Sequence, residues 1–122
     1  MTVPMNKAII GIVVIAVVAG GAFYFLQPEE STGPKTHEVA LHFEGVQIVH
    51  GPKMLTARRG DTVELIVTAD AEEEFHLHGY DRSIDIGPDK EPTLTVVADT
   101  AGRFIAELEG SKAEVFVLEV QP

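Results

Sequence analysis

The segment TVELIVT, residues 62–68, decides the fold class of this 122-residue chain. Val63, Leu65 and Val67 recur at every second position, which is the period of a strand with one buried face. The dipeptide Gly60-Asp61 directly before the segment is typical of a turn. The pattern therefore predicts a β-strand that begins after a turn and packs its apolar side against a core.

Similar short segments occupy the chain on both sides of residues 62–68. In the first of them Val39, Leu41 and Phe43 alternate with polar residues, and glycine or proline turns separate the later ones. No segment after Leu26 has apolar residues at helical spacing. The predicted strands are residues 39–43, 46–49, 54–57, 62–68, 75–78, 83–86, 93–97, 104–108 and 115–120. Many short strands with regular turns predict an all-β sandwich or barrel.

The segment FHLHGYD, residues 75–81, carries the side chains with the clearest chemistry. His76 and His78 are two positions apart, so in a strand both imidazoles project from the same face. Two imidazoles on one face can both bind the same Cu(II), Zn(II) or Ni(II) ion. The chain has no cysteine, and a blue-copper electron-transfer centre requires a cysteine thiolate. The sequence therefore predicts a metal site of another kind, with His76 and His78 as primary ligands.

Three segments together resemble the cupredoxin family: ARRGDTVELIVT (residues 57–68), the histidine strand, and TAGRF (residues 100–104). The resemblance implies an all-β, cupredoxin-like Greek-key β-sandwich in which His76 lies near the family's first histidine ligand. It also implies a cysteine at the end of the strand after residue 102, and Leu108 stands near that position. The following loop, residues 109–114, holds neither the family's second histidine nor its methionine. The resemblance therefore implies the fold without a blue-copper site.

Further ligands must come from elsewhere in the chain. His42 and His50 lie on the N-terminal strands, which a sandwich could bring beside the histidine strand, and Met54 is a soft ligand for Cu(I). Asp81 is a candidate to orient an imidazole. The alternative, which the sequence leaves open, is that the two histidines of residues 75–81 cap a strand end through hydrogen bonds and bind no metal.

The apolar segment AIIGIVVIAVVAGGAFYFL, residues 8–26, contains no charged side chain. Its length is close to the roughly 20 residues that a helix needs to cross a bilayer, so we predict one N-terminal transmembrane helix. Lys7 is the only charge before this segment and favours a cytoplasmic N-terminus. A cleaved signal peptide is the alternative, with Ala19-Gly20-Gly21 as the small-residue cleavage site. Both interpretations export the remainder of the chain to the periplasm or the cell surface.

The predicted organisation follows from these segments. It consists of a short cytoplasmic N-terminus (residues 1–7), a transmembrane anchor or uncleaved signal (residues 8–26), a polar linker (residues 27–36) and the cupredoxin-like domain (residues 37–122). An exported domain without cysteine has no disulfides, so its stability must come from packing, or from packing and a bound metal.

Charge and motifs exclude several function classes. All 19 acidic residues and eight of the nine basic residues follow the apolar segment, so the exported part is acidic and repels nucleic acid. No Gly-x-Ser-x-Gly nucleophile motif and no phosphate-binding glycine loop is present. Residues 76–79 are similar to the His-x-His-Gly motif of multicopper oxidases, but those enzymes gather several such motifs from more than one domain. We therefore predict that the protein is not an enzyme.

Two hypotheses about function remain. The first is an exported, membrane-tethered domain that binds copper through His76 and His78 and holds it or passes it to a partner. The second is a metal-free structural or interaction ectodomain, or an accessory subunit of a membrane complex. Both assign the N-terminal helix to the membrane and a protein partner to the domain.

Overall fold

Nine β-strands make up the regular structure of Thr32–Pro122, the part of the chain that this computed structural model describes. They are β1 (Thr36–Glu44), β2 (Gln47–His50), β3 (Met54–Arg58), β4 (Thr62–Ala69), β5 (Glu73–Leu77), β6 (Arg82–Ile86), β7 (Thr93–Val97), β8 (Gly102–Leu108) and β9 (Ala113–Gln121). A strand is present at each of the nine predicted segments; the bounds agree for β7 and differ by one to three residues at one or both ends of the others. The all-β prediction is confirmed for these residues.

The strands form two sheets. One has four strands in the order β2-β1-β4-β7, and the other has five in the order β3-β9-β8-β5-β6. β1 pairs with β4 and β3 pairs with β9 in parallel, and the remaining pairs are antiparallel. The chain crosses between the sheets after β2, β3, β4, β6 and β7. Each sheet therefore consists of strands from both halves of the domain.

The inward faces of both sheets share one core. Val63, Leu65 and Val67 of β4 are completely buried, as their alternation predicts. Phe43 of β1 and Phe75 of β5 come from different sheets, and their ring centroids lie 6.1 Å apart. Burial of each such side chain contributes about 1.5–3 kcal/mol. This packing fixes which residues of β5 face inward and which face solvent.

The turn between β3 and β4 is held by the buried side chain of Asp61. Its carboxylate accepts hydrogen bonds from the backbone N–H groups of Lys35 (2.8 Å) and Arg58 (3.0 Å), and Nε2 of His37 lies 2.8 Å away. These contacts, led by the Lys35 N–H, hold the pKa of Asp61 far below its usual range. The Gly-Asp turn thus ties the start of β1 to β3 and β4.

The predictions for the N-terminal segments lie outside the described residues. They are the cytoplasmic residues 1–7, the anchor at residues 8–26 and the first half of the linker, residues 27–31. Within Thr32–Pro122, no helix is long and apolar enough to cross a membrane.

Candidate metal centre

His76 and His78 lie on the outer face of the five-stranded sheet. Phe75 and Leu77 are fully buried, so the residue between them and the residue after them face outward because strand side chains alternate. β5 ends at Leu77, one residue earlier than the predicted strand, but the N–H of His78 still donates to the carbonyl of Ile105 (3.0 Å). The two imidazole centroids are therefore only 4.3 Å apart.

Glu109 joins the two histidines in a group of three side chains. One ligand atom from each of His76, His78 and Glu109 lies within 4.8 Å of the others. β8 runs antiparallel to β5 with Glu107 opposite His76, and Glu109 directly follows the end of β8. The N–H of Glu109 donates to the carbonyl of Glu74 (2.9 Å), which holds its side chain beside the histidines.

Glu109 was absent from the sequence-based set of ligands. It directly follows Leu108, near which the cupredoxin resemblance expects a cysteine. The resemblance specifies cysteine, histidine and methionine ligands at and after this position, and it does not specify a carboxylate. The pairing of β5 with β8 would have identified it, but that pairing joins residues about thirty positions apart in sequence and no local pattern encodes it.

The imidazole of His76 lies between two carboxylates. Its Nδ1 is 2.8 Å from Oε1 of Glu109, and its Nε2 is 3.3 Å from Oδ1 of Asp81. The hydrogen bond to Glu109 is the main cause of a raised pKa of His76, and Asp81 adds to it, while partial burial opposes both. When the ring is protonated, both nitrogens donate. The contact with Asp81 is also the one that the strand-capping alternative expects.

The two oxygens of Glu109 face different partners. Oε1 lies 2.8 Å from Nδ1 of His76 and 3.7 Å from Nε2 of His78, whereas Oε2 lies 3.0 Å from Nζ of Lys112. Lys112 is the largest cause of a lowered pKa of Glu109, and His76 is the second. Glu109 is therefore ionised at neutral pH and keeps one oxygen directed at the histidines.

Several further carboxylates surround this group. In the strand register Glu74 stands opposite Asp85, and Glu107 stands opposite Glu114. Like charges directly across a strand pair destabilise a sheet, and a cation bound on this face would offset part of that repulsion. Nε2 of His78 also lies 3.7 Å from Oε2 of Glu107. The face is thus anionic, with two imidazoles at its centre.

The three additional candidate ligands lie elsewhere. His42 belongs to the four-stranded sheet and pairs across the strands with His50, and its Nδ1 is 2.7 Å from Oγ1 of Thr68. Its neighbours in β1 are buried, so His42 faces outward from the opposite side of the sandwich. Met54 is half-exposed on the edge strand β3, which β9 and β8 separate from β5. The structure does not bring these residues to His76 and His78.

The donor atoms of the group suit a divalent ion of intermediate softness. Two imidazole nitrogens and one carboxylate oxygen are ligands that Cu(II) and Zn(II) accept. No thiolate is available for a blue-copper centre.

Comparison with known proteins identifies the fold. No family model matches the sequence, and no curated protein matches it. Among solved structures, the chain is similar to a chain in the cryo-EM structure of a heme-copper terminal oxidase dimer, with a TM-score of 0.63 at 13% identity over 95% of this chain and 99% of that one.

Two further solved structures are similar. One is a copper-binding protein determined by NMR in its apo form, with a TM-score of 0.57 at 12% identity over 74% of this chain and 98% of the other. The other is the copper nitrite reductase of Nitrosomonas europaea, with a TM-score of 0.54 at 20% identity over 71% of this chain and 42% of the reductase. At these identities the similarity concerns the fold. Together with the two sheets described above, it supports a cupredoxin-like β-sandwich.

Proposed function

We propose that this domain binds Cu(II) through His76, His78 and Glu109 in order to hold copper or to pass it to a partner. The observation that carries the proposal is the convergence of these three side chains, whose ligand atoms lie within 4.8 Å of one another on an anionic sheet face. The same three residues provide no redox-active thiolate and no general acid–base arrangement on a substrate pocket. The proposed role is therefore binding and delivery, without blue-copper electron transfer and without catalysis.

Two reasons favour copper as the metal that this site binds. Among first-row divalent ions, Cu(II) binds most tightly to a given set of nitrogen and oxygen ligands. The fold is also shared with proteins described as copper-binding. The set lacks sulfur, so we expect Cu(I) to bind much more weakly than Cu(II).

The proposed location follows from the N-terminal sequence. Residues 8–26 would anchor the chain in a membrane, and the acidic domain would face the periplasm or the cell surface. A metal site on the open face of a sheet would give a protein partner direct access. This proposal predicts a metal-transfer or membrane-protein partner and no nucleic acid.

The test compares two double variants of the full chain in detergent. We would titrate Cu(II) and Cu(I) into the wild type, into His76→Ala/His78→Ala, and into His42→Ala/His50→Ala, which removes the same number of histidines from the other sheet. The expected result is one Cu(II) per chain, lost in the first variant and retained in the second. Equal losses in both variants, or binding no stronger than that of two isolated surface histidines, would contradict the proposal.

A second candidate function is that of an accessory subunit in a membrane complex. The similarity to a chain of the heme-copper terminal oxidase dimer favours it, because that similarity extends over 95% of this chain and 99% of the other. Under this hypothesis the domain acts as a metal-free interaction ectodomain, and His76 serves only as a hydrogen-bond partner of Glu109 and Asp81. Purification from membranes would then yield a stable complex, whose melting temperature does not respond to copper. A chain that purifies alone with one bound copper would contradict it.

A further inference from the structure

We infer that His76 binds the metal through Nδ1, and that Asp81 is the positioning residue that selects this nitrogen by accepting a hydrogen bond from Nε2–H. The inference rests on the proposed function, and it adds which atoms bind and which residue outside the ligand set controls them. Asp81 does not contact the metal in this arrangement. It acts through the orientation and tautomer of the His76 ring.

The two nitrogens of His76 face different surroundings. Nδ1 points toward Oε1 of Glu109 at 2.8 Å, and the same oxygen lies 3.7 Å from Nε2 of His78. A metal in contact with all three side chains must therefore lie on the Nδ1 side of His76. Nε2 of His76 points instead to Oδ1 of Asp81 at 3.3 Å. The resulting ligand set is mixed: Nδ1 from His76, Nε2 from His78 and one oxygen from Glu109.

The turn after β5 places Asp81 beside this ring. Gly79 and Asp81 both have positive φ, 88° and 55°, and aspartate is one of the few residues that tolerate this conformation. Between them, Tyr80 donates from its hydroxyl to the carbonyl of Thr100 (2.9 Å) and packs edge-on against Phe104 at 4.6 Å. The backbone of this turn thus places Asp81 beside the His76 ring, and the Asp81 side chain itself is exposed.

Asp81 also has no competing cation within Thr32–Pro122. The structure gives it one ion-pair partner among these residues, which is His76. By contrast, Glu109 is shared with Lys112. If Asp81 itself bound the metal, it would do so on the Nε2 side, away from His78 and Glu109, and the site would have only two protein ligands. The three-ligand arrangement on the Nδ1 side is therefore preferred.

The chemistry of this pairing has a measurable effect. A carboxylate that accepts the second N–H of a metal-bound imidazole fixes the tautomer, makes the ligand nitrogen more basic and strengthens metal binding by roughly 10–100-fold. Removal of Asp81 should therefore weaken Cu(II) binding although Asp81 lies outside the ligand set. It should also let the His76 ring rotate and bind through either nitrogen.

The experiment uses the full chain in detergent and three variants. Asp81→Gly removes the carboxylate and keeps a residue suited to positive φ, Asp81→Asn keeps a hydrogen-bond acceptor without the charge, and Asp85→Asn removes one charge from the same face without contact to His76. Cu(II) dissociation constants are measured for each chain. Long-range ¹H–¹⁵N NMR on the Zn(II)-loaded, ¹⁵N-labelled chains then identifies the metal-bound nitrogen of each histidine, because Zn(II) is diamagnetic.

The expected result is a 10–100-fold weaker Cu(II) affinity in Asp81→Gly, a smaller loss in Asp81→Asn and a change below threefold in Asp85→Asn. The wild-type spectra should show Nδ1 of His76 and Nε2 of His78 as the bound nitrogens. Coordination of His76 through Nε2, or equal losses in Asp81→Gly and Asp85→Asn, would overturn this inference and leave the proposed copper site standing. A wild type that binds no Cu(II) would overturn both.

Discussion

His76 connects the chemistry of the site to pH. Its protonated ring donates to Glu109 and to Asp81, and both contacts raise its pKa. A metal can bind Nδ1 only after the proton there has left. The stability of the metal-free chain depends on pH in the opposite direction from metal binding. Because the folded-state pKa of His76 is raised, the contribution of this residue to stability is complete below the ordinary histidine pKa and is lost as the pH rises through the folded-state pKa.

We predict that Cu(II) affinity falls on acidification and that the fall begins above the ordinary histidine pKa of about 6.5. Glu109→Gln should weaken binding by about tenfold or more because it removes an anionic ligand. It should also move the onset of the fall to lower pH, since Glu109 is the main cause of the raised pKa of His76. Calorimetric titrations at a series of pH values between 5.5 and 8.5 measure both effects. A pH-independent affinity would exclude His76 as a ligand.

The sequence predicts some residues of the site and misses others for a physical reason. Strand alternation places His76 and His78 on one face from local sequence alone. Glu109 reaches them only through the pairing of β5 with β8, and His42 and His50 are kept away because β1 and β2 belong to the other sheet. The pattern of apolar residues predicts where strands lie and which of their faces is buried. It does not predict which strands become neighbours in a sheet.

The turn at residues 79–81 depends on its glycine. A Cβ at Gly79 would overlap the ring of Phe104, and φ at this position is +88°. Gly45 has a φ of +58°, but a Cβ there would meet nothing within 4 Å. An alanine at Gly45 would therefore meet backbone strain alone, whereas an alanine at Gly79 would meet backbone strain and a collision with Phe104.

We predict that Gly79→Ala destabilises the fold by clearly more than Gly45→Ala. The control should cost about 1–2 kcal/mol from the left-handed backbone alone, and Gly79→Ala should add the displacement of Phe104. Urea unfolding followed by circular dichroism gives both values. Gly79→Ala should also weaken Cu(II) binding, because the same turn carries Asp81. An equal loss of unfolding free energy in the two variants would show that the Phe104 ring moves aside without a loss of stability.

Asp61, in the turn between β3 and β4, leads to a prediction about the pH dependence of stability. Asp61 has a strongly lowered pKa, so its contribution to stability is complete above the ordinary carboxyl pKa of about 3.9 and is lost as the pH falls toward the folded value. Asp61→Asn should therefore lower the melting temperature at pH 7, and its difference from the wild type should shrink between pH 5 and pH 2. Thermal melts of both chains across this range test the expectation. A constant difference would mean that charge at Asp61 plays no part.

Alternation proved sufficient for the strands themselves and insufficient for their ends. Val39, Leu41 and Phe43 mark β1, but the strand extends from Thr36 to Glu44 because its backbone pairs with β4 from Thr36 to Phe43 and with β2 at Glu44. His78 was expected inside a strand, yet β5 ends one residue before it, where the turn at Gly79 begins. Strand ends depend on the partner strand and the turn, and neither is visible in the period of apolar residues.

For the domain as a unit, metal should act as a source of stability. A ligand that binds only the folded state adds about 2.7 kcal/mol at a free concentration one hundred times its dissociation constant, which raises the melting temperature of a domain of this size by ~10 °C or more. We predict such a rise for the full chain with Cu(II), measured by differential scanning calorimetry. His76→Ala/His78→Ala should show none of it. A wild-type melting temperature that ignores Cu(II) would favour the metal-free hypothesis.

The interior position of β9 in the five-stranded sheet has a consequence for biosynthesis. β9 lies between β3 and β8, and its pairing with β3 joins residues such as Met54 and Val117. A nascent chain that has emerged only as far as residue 112 already exposes both histidines and Glu109, but β3 has no partner and β8 lacks one neighbour. Folding of this sheet must therefore wait for residues 113–121, since such distant pairings form late and slowly. Until then both imidazoles and Glu109 remain accessible on an unfolded chain. If the domain is exported and binds copper as we propose, a chaperone that shields the unfolded chain would also prevent it from binding copper too early.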